Sequence, residues 1–456
     1  MSRRRTEPVA VSAVLHRPLF CFRRHHMRIT KLLALGLALS ASAQAATTIV
    51  FWDFFGGGDG IRMKQIVDDF NKSQSDIIVN RTTQTWGNPF YTKVHTATVS
   101  GQTPDVMTYH LSAVPSGLQK NDLRPFSTAD LAMAGLKATD FQANLVSTLN
   151  TDAKAAGKTG LYALPLDTHT YVVYYNKDLL KKAGLLGADG KPTGMNSVAD
   201  MTKALQTIKD KAGVTPAAFS TNQDPATLWR MWYSLFLQSG GTMYKDGKLY
   251  LGDLDTKGKA ALQTMADWTK SGLVTKNTAY PAAVALFTAG RTAMMFNGNW
   301  EVPTMVDAKS KGTLKFDYGI MAFPKLAGNS ETWADSHTLA IPNNSKTPIS
   351  ADKLKAVMTF IGYVNKQGGL GWAGGGHIPS YLPTQSSAAF KALQPNVQYS
   401  ATAAKDATLE PNVPIFGVGG PVYDAVGNNF TPVLLGQLSA DQGIAKFKAA
   451  LTSFNK

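Results

Sequence analysis

The residues of this chain best suited to do chemistry are aromatic rings set beside carboxylates, amides and imidazoles. Trp52 precedes Asp53 at the end of an apolar run, Trp86 lies in the polar stretch 82–88, and Trp229 and Trp232 flank Arg230 just after Asp224-Pro225. Trp300 follows Asn297-Gly298-Asn299, Trp333 precedes Asp335 and His337, and Trp372 precedes three glycines and His377. A sugar ring asks for this combination. Its C–H face packs on a flat aromatic platform, and its rim hydroxyls pair with carboxylates, amides and imidazoles. Asp53, Asp167 and Asp335 stand at strand ends, and two of the three are expected to accept hydroxyls. Tyr109, His110 and His169 occupy similar positions. Each also has a plain packing or hydrogen-bonding role open to it; Trp232 could be the buried side of its helix, and Trp268 reads as core.

Catalysis would require other signals. A glycoside hydrolase needs two carboxylates flanking the scissile bond, and the acids here are mostly scattered aspartates that offer no convincing pair. The motifs G-x-S-x-G and H-E-x-x-H are absent, and the glycine run after Phe55 matches neither G-x-G-x-x-G nor G-K-[ST]. Gly56-Gly57-Gly58, in the run GGGDG, is expected to form a plain turn. The expectation is a binding protein, not an enzyme, with no metal and no cofactor.

The 456 residues suit two lobes of about 200 residues each. The formal charge is +15, but much of it is N-terminal. Residues 27–45 read MRITKLLALGLALSASAQA: a basic start, a short apolar run and an A-x-A cleavage site, as in a secretory signal peptide. Residues 1–26 read as an upstream extension, with Met27 the simplest true start. The segment before residue 46 holds 8 Lys and Arg and 1 acid, which leaves 38 basic and 30 acidic residues and a net charge of +8. No dense basic stripe remains, so no nucleic-acid partner is implied. Cys21, the only cysteine, falls in the removed part, so disulfides and thiolate sites are not expected.

Strand and helix patterns alternate along the first lobe. Thr48–Trp52, Ile77–Val79 and Pro104–Met107 read as buried strands, with helices over about 61–73 and 89–100 between them, the order of a parallel α/β sheet. Further on, Tyr171–Tyr175 reads as an alternating strand. Helices follow near 197–212, 225–239 and 256–271, and strands at Thr292–Phe296, Phe316–Met321 and Thr338–Ile341. The stretch 350–456 is mainly helical.

At this level the chain resembles family 1 extracellular solute-binding proteins of ABC sugar importers, the maltose-binding-protein-like family. The resemblance is carried by GLYALPLDTHTYVVYYNKDL over 160–179, with Pro104-Asp105-Val106, FTAGRTAMMFNGNW over 287–300, Phe323-Pro324, SHTLAIP over 336–342 and WAGGGHIP over 372–379. It implies a two-lobe, type II periplasmic-binding-protein-like α/β fold with a ligand cleft between the lobes. The lobes would comprise 46–166 plus 336–363 and 167–335 plus 364–456, with crossings near 165–168, 332–336 and 364–368. It places a cleft aromatic at Trp300 and cleft contributions near Tyr109 and His110. It implies a monomeric periplasmic receptor that captures an oligosaccharide or other carbohydrate ligand, closes about its hinge and delivers it to the membrane permease subunits of an ABC importer. A receptor for a non-sugar solute, such as glycerol phosphate or a polyamine, is the alternative. The Trp and Asn content favours neutral sugars, and Arg230 leaves room for an acidic one.

Overall fold

A computed structural model describes residues 45–454 apart from 223, 247 and 412. The extension 1–26, Cys21 and, but for Ala45, the signal peptide assigned to 27–45 lie outside the described residues. The strand Thr47–Asp53 runs parallel to both Ile77–Thr83 and Val106–His110. Helices Gly57–Ser73 and Asn88–Ser100 make the crossovers. The first buries Met63, Ile66, Val67 and Phe70 on one stripe, the period that marks it as a helix in the sequence. His337–Pro342 returns antiparallel to Val106–His110 and pairs on its other side with Leu164–Pro165. The third strand begins at Val106 and not at Pro104. Pro104 has no N–H to give a ladder, and the Asp105 side chain instead accepts from the Val50 amide at 2.8 Å.

The second sheet is built around Asp167–Asn176. This strand pairs with Thr292–Gly298, Tyr318–Ala322, Thr332–Asp335 and Ile378–Pro379. Its alternation suggested one exposed face, yet all ten residues are buried. Its tyrosines are accommodated because the hydroxyls of Tyr171 and Tyr174 donate to the carbonyls of Phe296 and Gly298 at 3.0 and 2.9 Å. The C-terminal helices Pro421–Leu435 and Ala440–Phe454 pack on Pro225–Gln238 and Lys257–Lys270. Trp229, Trp232, Phe430 and Phe447 form the apolar seam between them.

The chain changes sheets over single residues. Leu164–Pro165 belongs to the first sheet and Asp167 to the second, with Leu166 between them. Asp335 ends a strand of the second sheet and His337 starts one of the first, with Ser336 between them. After helix Ala351–Lys366, which packs on Thr47–Asp53, the chain comes back to the second sheet at Ile378–Pro379. Among the described residues no helix is long and apolar enough to cross a membrane.

Candidate ligand-binding cleft

Strand register gathers the histidines. His337 lies opposite His110 in the first sheet, and His169 lies opposite Asp335 in the second. Asp335 and His337 are two residues apart across a sheet crossing, so the two registers are locked to one another. The third contribution comes from the glycine run before His377. Gly376 has φ +94°, and a Cβ there would lie 2.0 Å from the Asn299 carbonyl, so glycine is required for the turn. Ile378 and Pro379 then pair with Thr168 and Asp167, which sets His377 beside Asp167. Of the five histidines beyond residue 45, four meet here.

Asp167 is the hub. Its Oδ1 accepts from His169 Nδ1 at 3.1 Å and from the His337 amide at 3.0 Å. Its Oδ2 accepts from His337 Nδ1 at 2.8 Å and Trp372 Nε1 at 2.7 Å, and His377 Nδ1 lies 3.4 Å away. One carboxylate thereby ties together segments from all three passages between the sheets. Burial alone would raise its pKa, but His337, His377 and the hydrogen bonds bring it well below the usual carboxylate range. Because a carboxylate only accepts, His169 and His337 each carry a proton on Nδ1, and in a neutral His169 the Nε2 atom is an acceptor. Burial and the neighbouring His337 push His169 down to about 3. Burial, His337 and His169 push His110 well below its ordinary value. The imidazoles of His110 and His169 are therefore neutral at pH 7. Burial opposes a charge on His377, but Asp59 at 3.0 Å and Asp167 raise its pKa overall. Atoms of Asp167, His169, His337 and His377 lie within 4.8 Å of one another, a spacing a cation could bridge. The Asp167 oxygens, however, are already taken by four N–H groups.

Between the two sheets' ends lies a cavity of about 580 Å³, within the usual range for small-molecule sites. Its floor carries His110, His169 and His337; Phe54 stacks on His110 with centroids 4.4 Å apart, and Phe55 meets His337 edge-on at 4.9 Å. Its other wall carries Arg230, Tyr280, Trp300 and Glu301. The Tyr280 hydroxyl donates to Glu301 and accepts from Trp300 Nε1 at 2.8 Å. Trp300 folds over its own turn. A Cβ on Gly298 would fall 2.0 Å from the indole, so the Asn-Gly-Asn-Trp spacing is a packing requirement. Burial raises the Glu301 pKa. A second concavity of about 570 Å³ lies far from these groups, beside Pro104, Asn344 and the Asp105–Lys353 ion pair, and no aromatic ring lines it.

Six of the residues singled out in the sequence line the cavity: Trp86, His110, His169, Arg230, Trp300 and His337. Asp167, His377, Asn297 and Asp335 lie one layer behind. Asn297 Oδ1 is 3.1 Å from the Tyr280 hydroxyl. Asp335 accepts from Ser112 Oγ at 2.5 Å and from the Ser112 and Ser336 amides, while burial and Glu410 push it up to about 7. Five residues are not brought to the cavity. Asp53 is fully buried in an ion pair with Arg81, and Trp52 packs on the core under Lys93. Tyr109 is buried between Tyr91 and Phe90. Trp229 stacks on Tyr233 inside the helical layer, and Trp372 stacks on His377 at 4.5 Å; both are fully buried. A tryptophan beside a turn was the cue in the sequence, and it does not distinguish a rim from a core. Sequence reasoning missed Phe54, Phe55, Asp59, Asp224, Tyr280 and Glu301. The glycine run, expected to be a plain turn, instead carries Gly57 and Gly58 in the first turn of a helix that opens on the cavity.

Two mixed α/β sheets joined by crossing segments, with a cleft of aromatic rings and fixed imidazoles between them, define a two-lobed solute-binding protein. The description of bacterial extracellular solute-binding proteins matches residues 58–370, and the chain belongs to that family. A sn-glycerol-3-phosphate-binding periplasmic protein of Yersinia enterocolitica is 31% identical over 193 residues, 40% of each chain. The chain thus spans about two fifths of the length of the curated relatives it matches. Two solved structures share the fold over 90% of this chain. They are the GacH receptor of Streptomyces glaucescens, studied unliganded and with acarbose (20% identity, TM-score 0.74, 98% of that chain), and maltose-bound MalE3 of T. maritima (19%, 0.74, 100%).

Proposed function

We propose that this chain is the periplasmic receptor of an ABC importer, exported through the signal peptide at 27–45, and that it captures a carbohydrate or related polyhydroxylated solute without transforming it. The observation that carries the reading is the floor of the cleft. Asp167 fixes the rings of His169 and His337 through Nδ1, and the neutral His169 leaves its Nε2 as an unpartnered acceptor, the match for a hydroxyl donor. Trp300 and Trp86 supply apolar surface for the C–H faces of such a ligand. The two structural relatives, named for acarbose and maltose, support the same class.

The cavity draws on both lobes. His110, His337, Phe54 and Trp86 come from the first-sheet side, and Arg230, Tyr280 and Trp300 from the second. A ligand that touches both sides stabilises the closed arrangement by the free energy of those contacts, and closure about the crossings at Leu166 and Ser336 presents the loaded form to the permease subunits. Thermal-shift screening of the purified monomer against mono- and oligosaccharides, polyols and their derivatives tests the reading. A binder of the folded state raises Tm, and small-angle scattering should show contraction with that ligand. Turnover of a bound sugar, or no response to any polyhydroxylated compound, would overturn it.

A further inference from the structure

Arg230 lies on helix Pro225–Gln238 and lines the cavity, yet only 7% of it is exposed. Its guanidinium is clamped by aromatic rings, 4.6 Å from the Trp300 centroid, 4.5 Å from Trp333 and 5.8 Å from Trp86. Among the described residues no carboxylate lies within ion-pair distance of it, and its buried Nε has no hydrogen-bond partner. An arginine stays charged at any physiological pH, and a buried cation without a counter-charge is costly.

The carboxylates around it are committed elsewhere. Glu410 accepts from the indoles of Trp229 and Trp333, the Tyr423 hydroxyl and the Gly417 amide. Asp335 is taken by Ser112 and Ser336. Asp224 caps its helix at Thr227, Glu301 holds the Tyr280 hydroxyl, and Asp59 is paired with His377. The same cavity is lined by Gly57, Gly58 and Asp59, the first turn of the 17-residue helix Gly57–Ser73, whose N-cap Gly56 supplies no side-chain cap. That end carries free N–H groups and a partial positive charge.

From this we infer that the solute carries an anionic group, a phosphate or a carboxylate on a polyhydroxylated body, and that Arg230 is the residue that selects it. The inference rests on the proposed carbohydrate-class receptor and adds the charge. The two halves of such a ligand have separate partners: its hydroxyls pair with the His169 and His337 imidazoles, and its anion takes the guanidinium, whose planar fork suits either oxyanion. The aromatic clamp holds the guanidinium flat, so its N–H edge is preset for the ligand. Of the curated relatives, those named for sn-glycerol 3-phosphate carry such a group.

The test is calorimetric titration and thermal shift with matched pairs: glycerol against sn-glycerol 3-phosphate, glucose against glucose 6-phosphate, and glucose against glucuronate, with maltotriose as the larger neutral probe. The phosphate and carboxylate arms tell which oxyanion is taken. At least one charged member is expected to bind tenfold or more tighter than its neutral partner. Arg230→Gln should remove that preference while the ligand-free protein melts at an unchanged or higher temperature, since an uncompensated charge has gone. Arg230→Lys should keep part of the preference and serves if the Gln variant does not fold. Neutral probes that bind as tightly as their charged partners, or a preference that survives Arg230→Gln, overturn the anion and leave the carbohydrate receptor standing. No response to any probe removes both.

Discussion

The floor of the cleft and its second-lobe wall handle polar groups in opposite ways. On the floor, His110, His169 and His337 are oriented by Tyr91 and Asp167, each ring fixed through Nδ1. On the wall, Arg230 has aromatic faces on its sides and no acid within ion-pair distance among the described residues. The floor is thus a network tied together through Asp167, with His169 Nε2 and His377 Nδ1 left without a partner, and its worth is structural as much as functional. The wall keeps a charge whose solvation has been stripped and not replaced. Buried charges in a protein are normally paired, so the unpaired guanidinium is the informative group.

Removing the centre of the floor should have the largest effect. Asp167→Ala leaves the N–H groups of His169, His337 and Trp372 without an acceptor. A loss of about 3–5 kcal/mol is expected in urea unfolding, together with weaker ligand binding. A change under about 1 kcal/mol would show that the three crossings are not held through this carboxylate.

Trp300→Ala should break the wall and spare the floor. Affinity for the ligand found by screening is expected to fall tenfold or more, about 1.4 kcal/mol, with a smaller drop in Tm than Asp167→Ala produces. The reverse ranking would make Trp300 a packing residue.

The floor also predicts a pH profile. His169, held at about 3 in the folded state, binds protons more readily when unfolded, so its contribution is present above its ordinary value near 6.5 and is lost as pH falls toward 3. Asp167, also depressed, adds a loss below its unfolded value near 4. His377 is raised, so its contribution is full below about 6.5 and is lost as pH rises through its folded value. Stability measured by urea titration should therefore decline on both sides of neutrality. His377→Gln should flatten the alkaline side, and an unchanged alkaline limb in that variant would rule out the Asp59–His377–Asp167 chain as its source.

Trp86→Ala should be the mildest. This ring is 42% exposed at the rim, so stability should stay within about 0.5 kcal/mol while affinity drops a few-fold. An unaltered Kd would take Trp86 out of the ligand's reach.

The helices and most strands were legible because their apolar period is local. Helix 57–73 shows it in Ile66, Val67 and Phe70, and Thr292–Gly298 in its apolar run. The site was half legible. A histidine within a distinctive segment was a fair cue, since His169 and His337 line the cavity and His377 lies one layer behind. A tryptophan beside a turn was a poor one. Trp229 and Trp300 both follow polar turns, yet one stacks on Tyr233 in the helical layer and the other opens onto the cavity.

By itself the sequence determined the alternating α/β order and the family, since each is written in neighbouring residues or in motifs kept in order. Which polar groups would be neutral, and which charge would be left over, was decided only by tertiary structure. Asp167 and His377 are far apart in the chain, and their pKa shifts follow from burial and from the charges the fold sets beside them. Arg230 is one arginine among many in the sequence. It becomes the exception when the fold buries it between Trp300 and Trp333 and commits the nearby carboxylates to other donors.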